Sequence, residues 1–498
     1  MVLVNGIVKI ILVMMLFFGV CAEGLADELQ PKNIIVMVAD GSGYNTLEAT
    51  RMYTGKPLVM DSDGWISLPM ATYSLARQKD TTKQDESIVY DPAKAWDTTP
   101  VEGEKNDYPF YFEGYKWHMS TYPDSAATMS AMMTGCRVCN GSLNVDGNNK
   151  PLLSAAELAH QAGKAVGSIS TVEISGATPA AGAGVHMRSR ADHIDIANQM
   201  LDSGIITFIG GAGNPDYNNN GELEKFIRKK DYKYVGGAET WQQLKDGTHP
   251  KGWVLLESRD ELKKLASTSS NELPDAPIIF VGQVRNTFQF SRKSATDHKT
   301  TLPDDDPFNK NVPTLGELTS AALNVLARDE KGFFLVVEGG AVDKAMHANA
   351  AGRMVEEYID FNGAVKTVVD YLDDNTDGNN WDNTLLIVTA DHDHLLFGPQ
   401  GDKIPFQPLV DNGPGKMPGY KWFYRSHSNR PVPFFAKGIG AEVFPSYAIN
   451  LDQYNDGKQT YGFGKYMHQV DMGKQLHAVL KPQISEAKEQ AALQPTTP

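Results

Sequence analysis

Short uninterrupted apolar runs alternate with amphipathic stretches along most of the chain, the pattern of a largely parallel sheet covered by helices. Asn33–Ala39 (NIIVMVA) reads as a strand buried on both sides. Leu152–Gln161 reads as a helix stopped by Gly163, and Ala165–Ser170 as the strand after it. Ala191–Leu201 and Ile205–Ile209 repeat that helix-to-strand step. Pro313–Ala327 is a helix opened by a capping box, Thr314 with Glu317, and it feeds the strand Phe333–Val337. Met354, Tyr358, Phe361, Val365, Val368 and Leu372 step by four and three, the apolar stripe of a long helix. That helix ends in the turn-rich Asp373–Asn380, before the buried strand Leu385–Thr389. Pro433–Ala436 is a further strand, bounded by Gly438. The polar stretches Arg77–Asp107 and Gly398–Tyr420 read as insertions, and the tail beyond Lys481 as a helix with a frayed end.

Composition narrows the class. The chain has 498 residues, 41% apolar and 21% charged, with 45 Gly and 27 Pro, which excludes disordered, collagenous and coiled-coil proteins. Its 46 Lys plus Arg against 61 Asp plus Glu leave a net charge of −15. Such a surface disfavours nonspecific binding to nucleic acid or anionic lipid, although metal ions can reverse the potential locally for a small anionic substrate. At the N-terminus, Lys9, the apolar run Ile10–Val20 and the small residues Ala22, Gly24 and Ala26 follow the order of a secretory signal. The run is too short to span a bilayer. Residues 1–26 are expected to be a signal peptide cleaved after Ala26, with Ala22 as the second site; Phe18-Gly19-Val20 is a poor lipobox in front of Cys21. The exported remainder keeps Cys136 and Cys139, for which a short local disulfide is expected.

The chemistry gathers where strands end. Asp40 follows the first strand, Glu338 follows Phe333–Val337, Asp391 and His392 follow Leu385–Thr389, and the loop Ser175–Thr178 follows Ala165–Ser170. In an open α/β sheet those carboxyl ends converge on the ligand crevice. A single Asp after a strand is usually a cap or turn residue; several ends with matching ligand types indicate a metal site. Asp343 and His347 stand four apart, so one helical turn can project both at one ion. Asp391-His392-Asp393-His394 adds a second dense cluster of oxygen and nitrogen donors. Carboxylate with imidazole and no thiolate suits Zn²⁺, with Mg²⁺ where the donors are all oxygen. Asp124-Ser125 precedes a run of small residues, so Ser125 stands where a loop enters a helix, either as a capping residue or as a nucleophile. No G-x-S-x-G elbow surrounds it, and a metal is the alternative means of activating its hydroxyl.

These segments resemble the alkaline phosphatases of the alkaline phosphatase superfamily. IIVMVADGSG, DSAATMSAMMTG, GATPAAGAGVHMRSRAD, VEGGAVDKAMHAN, VTADHDH and HSNRPVPFFAKG occur in the family's order, from about Asn33 to about Gly438. The resemblance implies a three-layer α/β/α fold over residues 27–498 with a largely parallel central sheet, surface insertions at about 77–118 and 398–425, and a short crown. It implies one zinc on Asp343, His347 and His427, and a second on Asp40, Asp391 and His392 with Ser125 as fourth ligand. A magnesium would share Asp40 with Thr178 and Glu338. Ser125 would be the nucleophile and Arg190 the residue gripping phosphate, with Arg188 its competitor because this segment is one residue longer than usual. Lys344 would approach the phosphate through water, and His394 would stand behind the first zinc. Small phosphate monoesters as substrates, a homodimer and an exported location complete the expectation.

The sequence departs from the family at Gly176, two residues before the magnesium threonine, where an Asp or His is frequent. That departure weakens the expected magnesium site, since a group to order its waters is missing. Two other readings stand beside the monoesterase: a phosphodiesterase or nucleotide pyrophosphatase of the same superfamily, and a secreted metal-binding relative without turnover.

Overall fold

The computed structural model describes residues 30–77, 84–85, 87–294, 297, 299 and 301–493. The expected signal segment, part of the first insertion and the end of the tail lie outside the described residues.

Eleven strands build one sheet. In chain order they are β1 (Asn33–Val38), β2 (Ile66–Ala71), β3 (Ala165–Glu173), β4 (Phe208–Ala212), β5 (Val254–Leu256), β6 (Ile278–Val281), β7 (Phe333–Glu338), β8 (Thr384–Thr389), β9 (Val432–Gly438), β10 (Asn450–Asn455) and β11 (Thr460–His468). Their order across the sheet is β10-β11-β2-β9-β8-β1-β7-β3-β4-β6-β5. From β8 to β5 every pair is parallel. β9 runs antiparallel to both β8 and β2, and β10 antiparallel to β11.

Alternation along β1 assigns the two helical layers. Ile34, Val36 and Val38 pack with α2 (Ser125–Thr134), α3 (Ala155–Gln161), α4 (Ala177–Gly182), α5 (His193–Asp202) and the C-terminal helix α9 (Gln469–Leu493). Ile35 and Met37 face the other layer: α1 (Tyr44–Thr54), α6 (Leu315–Leu326), α7 (Ala341–His347) and α8 (Ala351–Asp374). The expected capping box opens α6, where the Thr314 hydroxyl accepts from Glu317 N. The apolar stripe of α8 is buried along its whole length. The largely parallel, helix-covered sheet that its hydrophobic pattern implies is therefore present, in the three-layer α/β/α form expected from the resemblance.

Three local expectations need correction or refinement. Cys136 and Cys139 are both free. The chain beside them pairs with Leu75, whose N–H donates to Val138 O, and this turns Cys139 into the core while Cys136 faces solvent. The stretch 398–425 includes the start of a strand, Lys421–Ser428, which pairs with Asp393–Phe397. The first insertion contains a hairpin, Pro100–Lys105 with Tyr108–Phe112, and a helix, Glu113–Thr121. Tyr115 and Phe112 from that segment join Phe397 and Phe423 of the ribbon in a third apolar cluster.

Under α8 lies a buried ionic network. Arg292 grips Glu356 with two bonds of 2.6 and 2.8 Å, and Arg353 donates to Glu356 at 3.1 Å and to Asp306 at 2.6 Å. Both guanidinium groups are almost wholly buried. Removing one partner leaves an uncompensated buried charge, so Arg353→Ala is expected to destabilise by about 3–5 kcal/mol, read by denaturant unfolding. A loss under ~1 kcal/mol would show that Asp306 and Glu356 do not depend on it.

On the same helix, burial pushes the Asp360 carboxyl up to about 6 from 3.8, against the Leu315 N–H that donates to it and with Glu317 and Glu356 adding repulsion. Between those values the folded chain holds a proton that the unfolded chain has released. This group's stabilisation is complete below about pH 4 and is lost as pH rises through 6. Asp360→Asn should therefore gain in urea midpoint over the wild type as pH rises from 4 to 7. Parallel pH profiles for the two proteins would contradict this.

Candidate metal centre

Parallel register places the functional side chains. Val38 pairs with Glu338 on one side and with Thr389 on the other, and Glu338 pairs with Ser170. The residues just beyond these positions, Asp40, Asp391 and the β3–α4 turn, must therefore leave the sheet at one edge. Asp343 and His347 arrive on α7, one turn apart, directly after β7. His427 comes from far along the chain on the ribbon, where it stands opposite His394 in the register.

Two groups of donors result. Asp343, His347, His394 and His427 bring ligand-type atoms within 4.8 Å of one another, and so do Asp40, Asp391 and His392. The outer ring nitrogen of His347 lies 2.7 Å from Arg425 O, and that of His427 lies 2.8 Å from Pro123 O. Each carbonyl fixes its ring so that Nε2 faces inward, and the two Nε2 atoms stand 3.1 Å apart. Asp343 Oδ2 is 3.3 Å from His347 Nε2, while Oδ1 lies 2.9 Å from His394 Nε2 and 3.5 Å from His427 Nε2. His394, expected behind this cluster, thus reaches it through Asp343.

In the second group His392 Nε2 lies 3.3 Å from Asp391 Oδ2 and 3.4 Å from Asp40 Oδ1. Ser125 opens α2, only 2% exposed, with its Oγ 3.3 Å from His392 Nε2 and 3.5 Å from Asp40 Oδ1. The Asp124 side chain caps that helix by accepting from Ala127 N. It also accepts from Gly141 N and forms an ion pair of 3.1 Å with Arg190. Arg190 reaches the cleft that Asp40, Glu338 and Lys344 line, whereas Arg188 is exposed. Of the two candidates, Arg190 is therefore the one that faces the site. Thr178 is buried in the first turn of α4, and Glu338 accepts from the Ser170 hydroxyl.

Electrostatics show what these donors lack. Burial raises the carboxyls of Asp40 and Glu338 well above their ordinary range, and the facing acids, Asp391 and Asp343 at Asp40 and Asp40 at Glu338, add to it. Asp391 is pushed up to about 7, mainly by burial. Asp343 is the exception: against burial, His347, His394, His427 and Lys344 hold it well below the usual carboxylate range. Burial lowers His394 to about 3, and it lowers His392 with help from the neighbouring His427. Neutral imidazoles beside carboxylates are the protonation states metal ligands require. Among the described residues, Asp391 Oδ2, His392 Nδ1, His394 Nδ1 and Thr178 Oγ1 are buried without a hydrogen-bond partner. The donor set fits divalent ions, and thiolate-free N/O groups of this size suit zinc.

Sequence reading did not anticipate Glu173 and His193, which line the same cleft. Glu173 ends β3 as Glu338 ends β7, so the strand-end pattern carried a signal for it.

The chain matches the family description "Alkaline phosphatase" over residues 31–430. It is 28% identical over 391 residues to the alkaline phosphatase of Escherichia coli K12, covering 75% of this chain and 72% of that protein. Alkaline phosphatase H of Pseudomonas aeruginosa UCBPP-PA14 is 27% identical over 382 residues, 73% of this chain and 69% of its own. In fold the chain is similar to the alkaline phosphatase of the Antarctic bacterium TAB5, with TM-score 0.57, 19% identity, and coverage of 91% of this chain and 99% of that one. It is similar too to that of Thermus thermophilus, with TM-score 0.59, 18% identity, and coverage of 93% and 96%.

A divalent ion bound only by the native arrangement must stabilise it, by about 4 kcal/mol at a thousandfold excess over Kd. Chelation is therefore expected to lower Tm and His427→Ala to reduce metal content by elemental analysis. A chelated protein that keeps both its Tm and its metal-free state would contradict the two donor groups as ion sites.

Proposed function

The chain belongs to the alkaline phosphatase family, and from that premise we propose that it is an exported phosphomonoesterase working through a phosphoserine on Ser125. The observation that carries the reading is the place of Ser125: first residue of α2, its Oγ within 3.5 Å of both Asp40 and His392. A bare hydroxyl is a poor nucleophile, and its position beside a buried carboxylate–imidazole group is what a metal-assisted attack requires. Zinc on Asp343, His347 and His427, zinc on Asp40, Asp391 and His392, and magnesium on Asp40, Thr178 and Glu338 would together lower the hydroxyl's pKa and offset charge on the phosphate oxygens.

The chain's own residues do the rest. Asp124 caps the start of α2 and pairs with Arg190 at 3.1 Å, so one carboxylate positions both the nucleophile's helix and the guanidinium. Arg190 remains charged because Asp124, Asp40 and Asp343 outweigh its burial, and its planar fork matches two phosphate oxygens. Lys344 adds a second cation on the same cleft. Ser125 Oγ attacks phosphorus, the ester oxygen leaves with the alcohol, and water then cleaves the Ser125 phosphate to return the hydroxyl. Small phosphate monoesters are the substrates this cleft suits, and the working form is a homodimer in the periplasm or outside the cell.

Ser125→Ala is expected to reduce kcat/KM for p-nitrophenyl phosphate by on the order of a thousandfold or more, with bound metal unchanged. The bis(p-nitrophenyl) ester should be turned over far more slowly than the monoester by the wild type. Near-normal turnover in the alanine variant, or a preference for the diester, would overturn the proposal.

A further inference from the structure

The insertion that precedes Ser125 ends against the donor group that the nucleophile does not touch. Ser125 Oγ stands beside Asp40 and His392. In-line displacement sends the leaving alcohol to the opposite side of phosphorus, toward Asp343, His347 and His427. There the site opens to solvent, since the His347 side chain is 38% exposed. What stands beside His347 and His427 therefore decides which alcohols fit.

The helix and the hairpin of the insertion converge at that place. Helix Glu113–Thr121 stops where Pro123 drives the residue before it out of the helical region, and Tyr122 takes φ −64° and ψ 144°. Pro123 O lies 2.8 Å from His427 Nδ1, and the Tyr122 ring stands edge-on to the His427 ring at 5.6 Å. The hairpin closes over this corner. Its turn residues, Asn106 at φ 51° and Asp107 at φ 68°, both take the left-handed backbone of a tight two-residue turn. Lys105, just before the turn, donates to Met119 O, and its Nζ lies 5.2 Å from the centre of the Tyr122 ring. Tyr108 pairs with Lys105 in the register. The Tyr108 hydroxyl is 2.7 Å from the side-chain amide of Asn349, two residues beyond His347. Its ring stands edge-on at 5.7 Å to Tyr424, three residues before His427. The hairpin is thus tied to both segments that carry the exposed end of this donor group. Tyr424 is buried by these contacts, whereas Tyr122 remains half-buried and keeps aromatic surface open beside His427.

We propose that, within the phosphatase reading on which this rests, Tyr122 backed by Lys105 is the wall that receives the leaving alcohol and selects monoesters whose alcohol is a planar aromatic group. A planar ring meets the phenol face-offset or edge-on, contacts that favour it by a factor of about two to ten beyond the apolar area covered. An aliphatic alcohol gains from the area alone.

Metal-loaded enzyme and two esters test this: kcat/KM for phenyl phosphate is divided by kcat/KM for ethyl phosphate. The intrinsic reactivity difference between the esters is common to all variants and cancels on comparison. Tyr122→Leu is expected to lower the ratio by about threefold to tenfold, with metal content unchanged. Tyr122→Phe should keep the wild-type ratio, and Lys105→Met should lose part of it. A constant ratio in Tyr122→Leu, whether both rates fall together or neither does, would overturn the assignment. A Lys105→Met ratio equal to that of the wild type would overturn the part given to the hairpin. In the wild type itself, with no variant to fold, phenylphosphonate should inhibit competitively at a lower concentration than ethylphosphonate, and equal inhibition constants would also contradict the aromatic wall. A wild type that hydrolyses neither ester would defeat the phosphatase reading, whereas an active wild type with a constant ratio in Tyr122→Leu defeats only the role of Tyr122.

Discussion

The structure turns on the cost of collecting carboxylates in one buried place. Asp40, Glu338 and Asp391 leave neighbouring parallel strands at the same edge, and burial with mutual repulsion drives their carboxyls upward. Like charges so close cannot all ionise without cations among them. The imidazoles of His347, His392, His394 and His427, the ammonium of Lys344 and the guanidinium of Arg190 surround them, but four buried polar atoms in this region remain unpartnered. Such an arrangement is expensive as a structural device and sensible as a receptor for divalent ions and an anionic substrate.

The rest of the fold is arranged to bear that cost. A sheet core covered on both faces by apolar helices gives a stiff frame, and its register fixes where each carboxylate emerges. The contrast with the Arg292–Glu356–Arg353–Asp306 network is instructive. There each buried acid meets a guanidinium at 2.6–3.1 Å, so the charges are offset within the chain. At the strand ends burial disfavours the charged forms of His392 and His394, and much of the compensation is left to what binds.

Asp124 couples the two halves of the site. One carboxylate caps α2, which carries the Ser125 hydroxyl, and also anchors Arg190.

Much of this was legible in the amino-acid order, because local pattern governs local structure. Apolar runs marked β1, β7 and β8, the four-and-three stripe marked α8, and Asp40, Glu338 and Asp391 could be seen at strand ends. Asp343 and His347 shared a face by helical spacing alone. Other features depended on which distant segments meet, which no local pattern encodes. The ribbon alone sets His427 opposite His394, and the Asp124 ion pair with the cleft alone separates Arg190 from Arg188. The pairing of Leu75 with the Val138–Cys139 segment buries Cys139 and leaves Cys136 exposed, where the two cysteines of the expected exported remainder had suggested a bridge. Glu173 comes to line the cleft with Lys344 only where β3 and α7 meet at the sheet edge. Spacing along a helix or strand fixes which side chains share a face; which faces then converge is settled by packing between elements hundreds of residues apart.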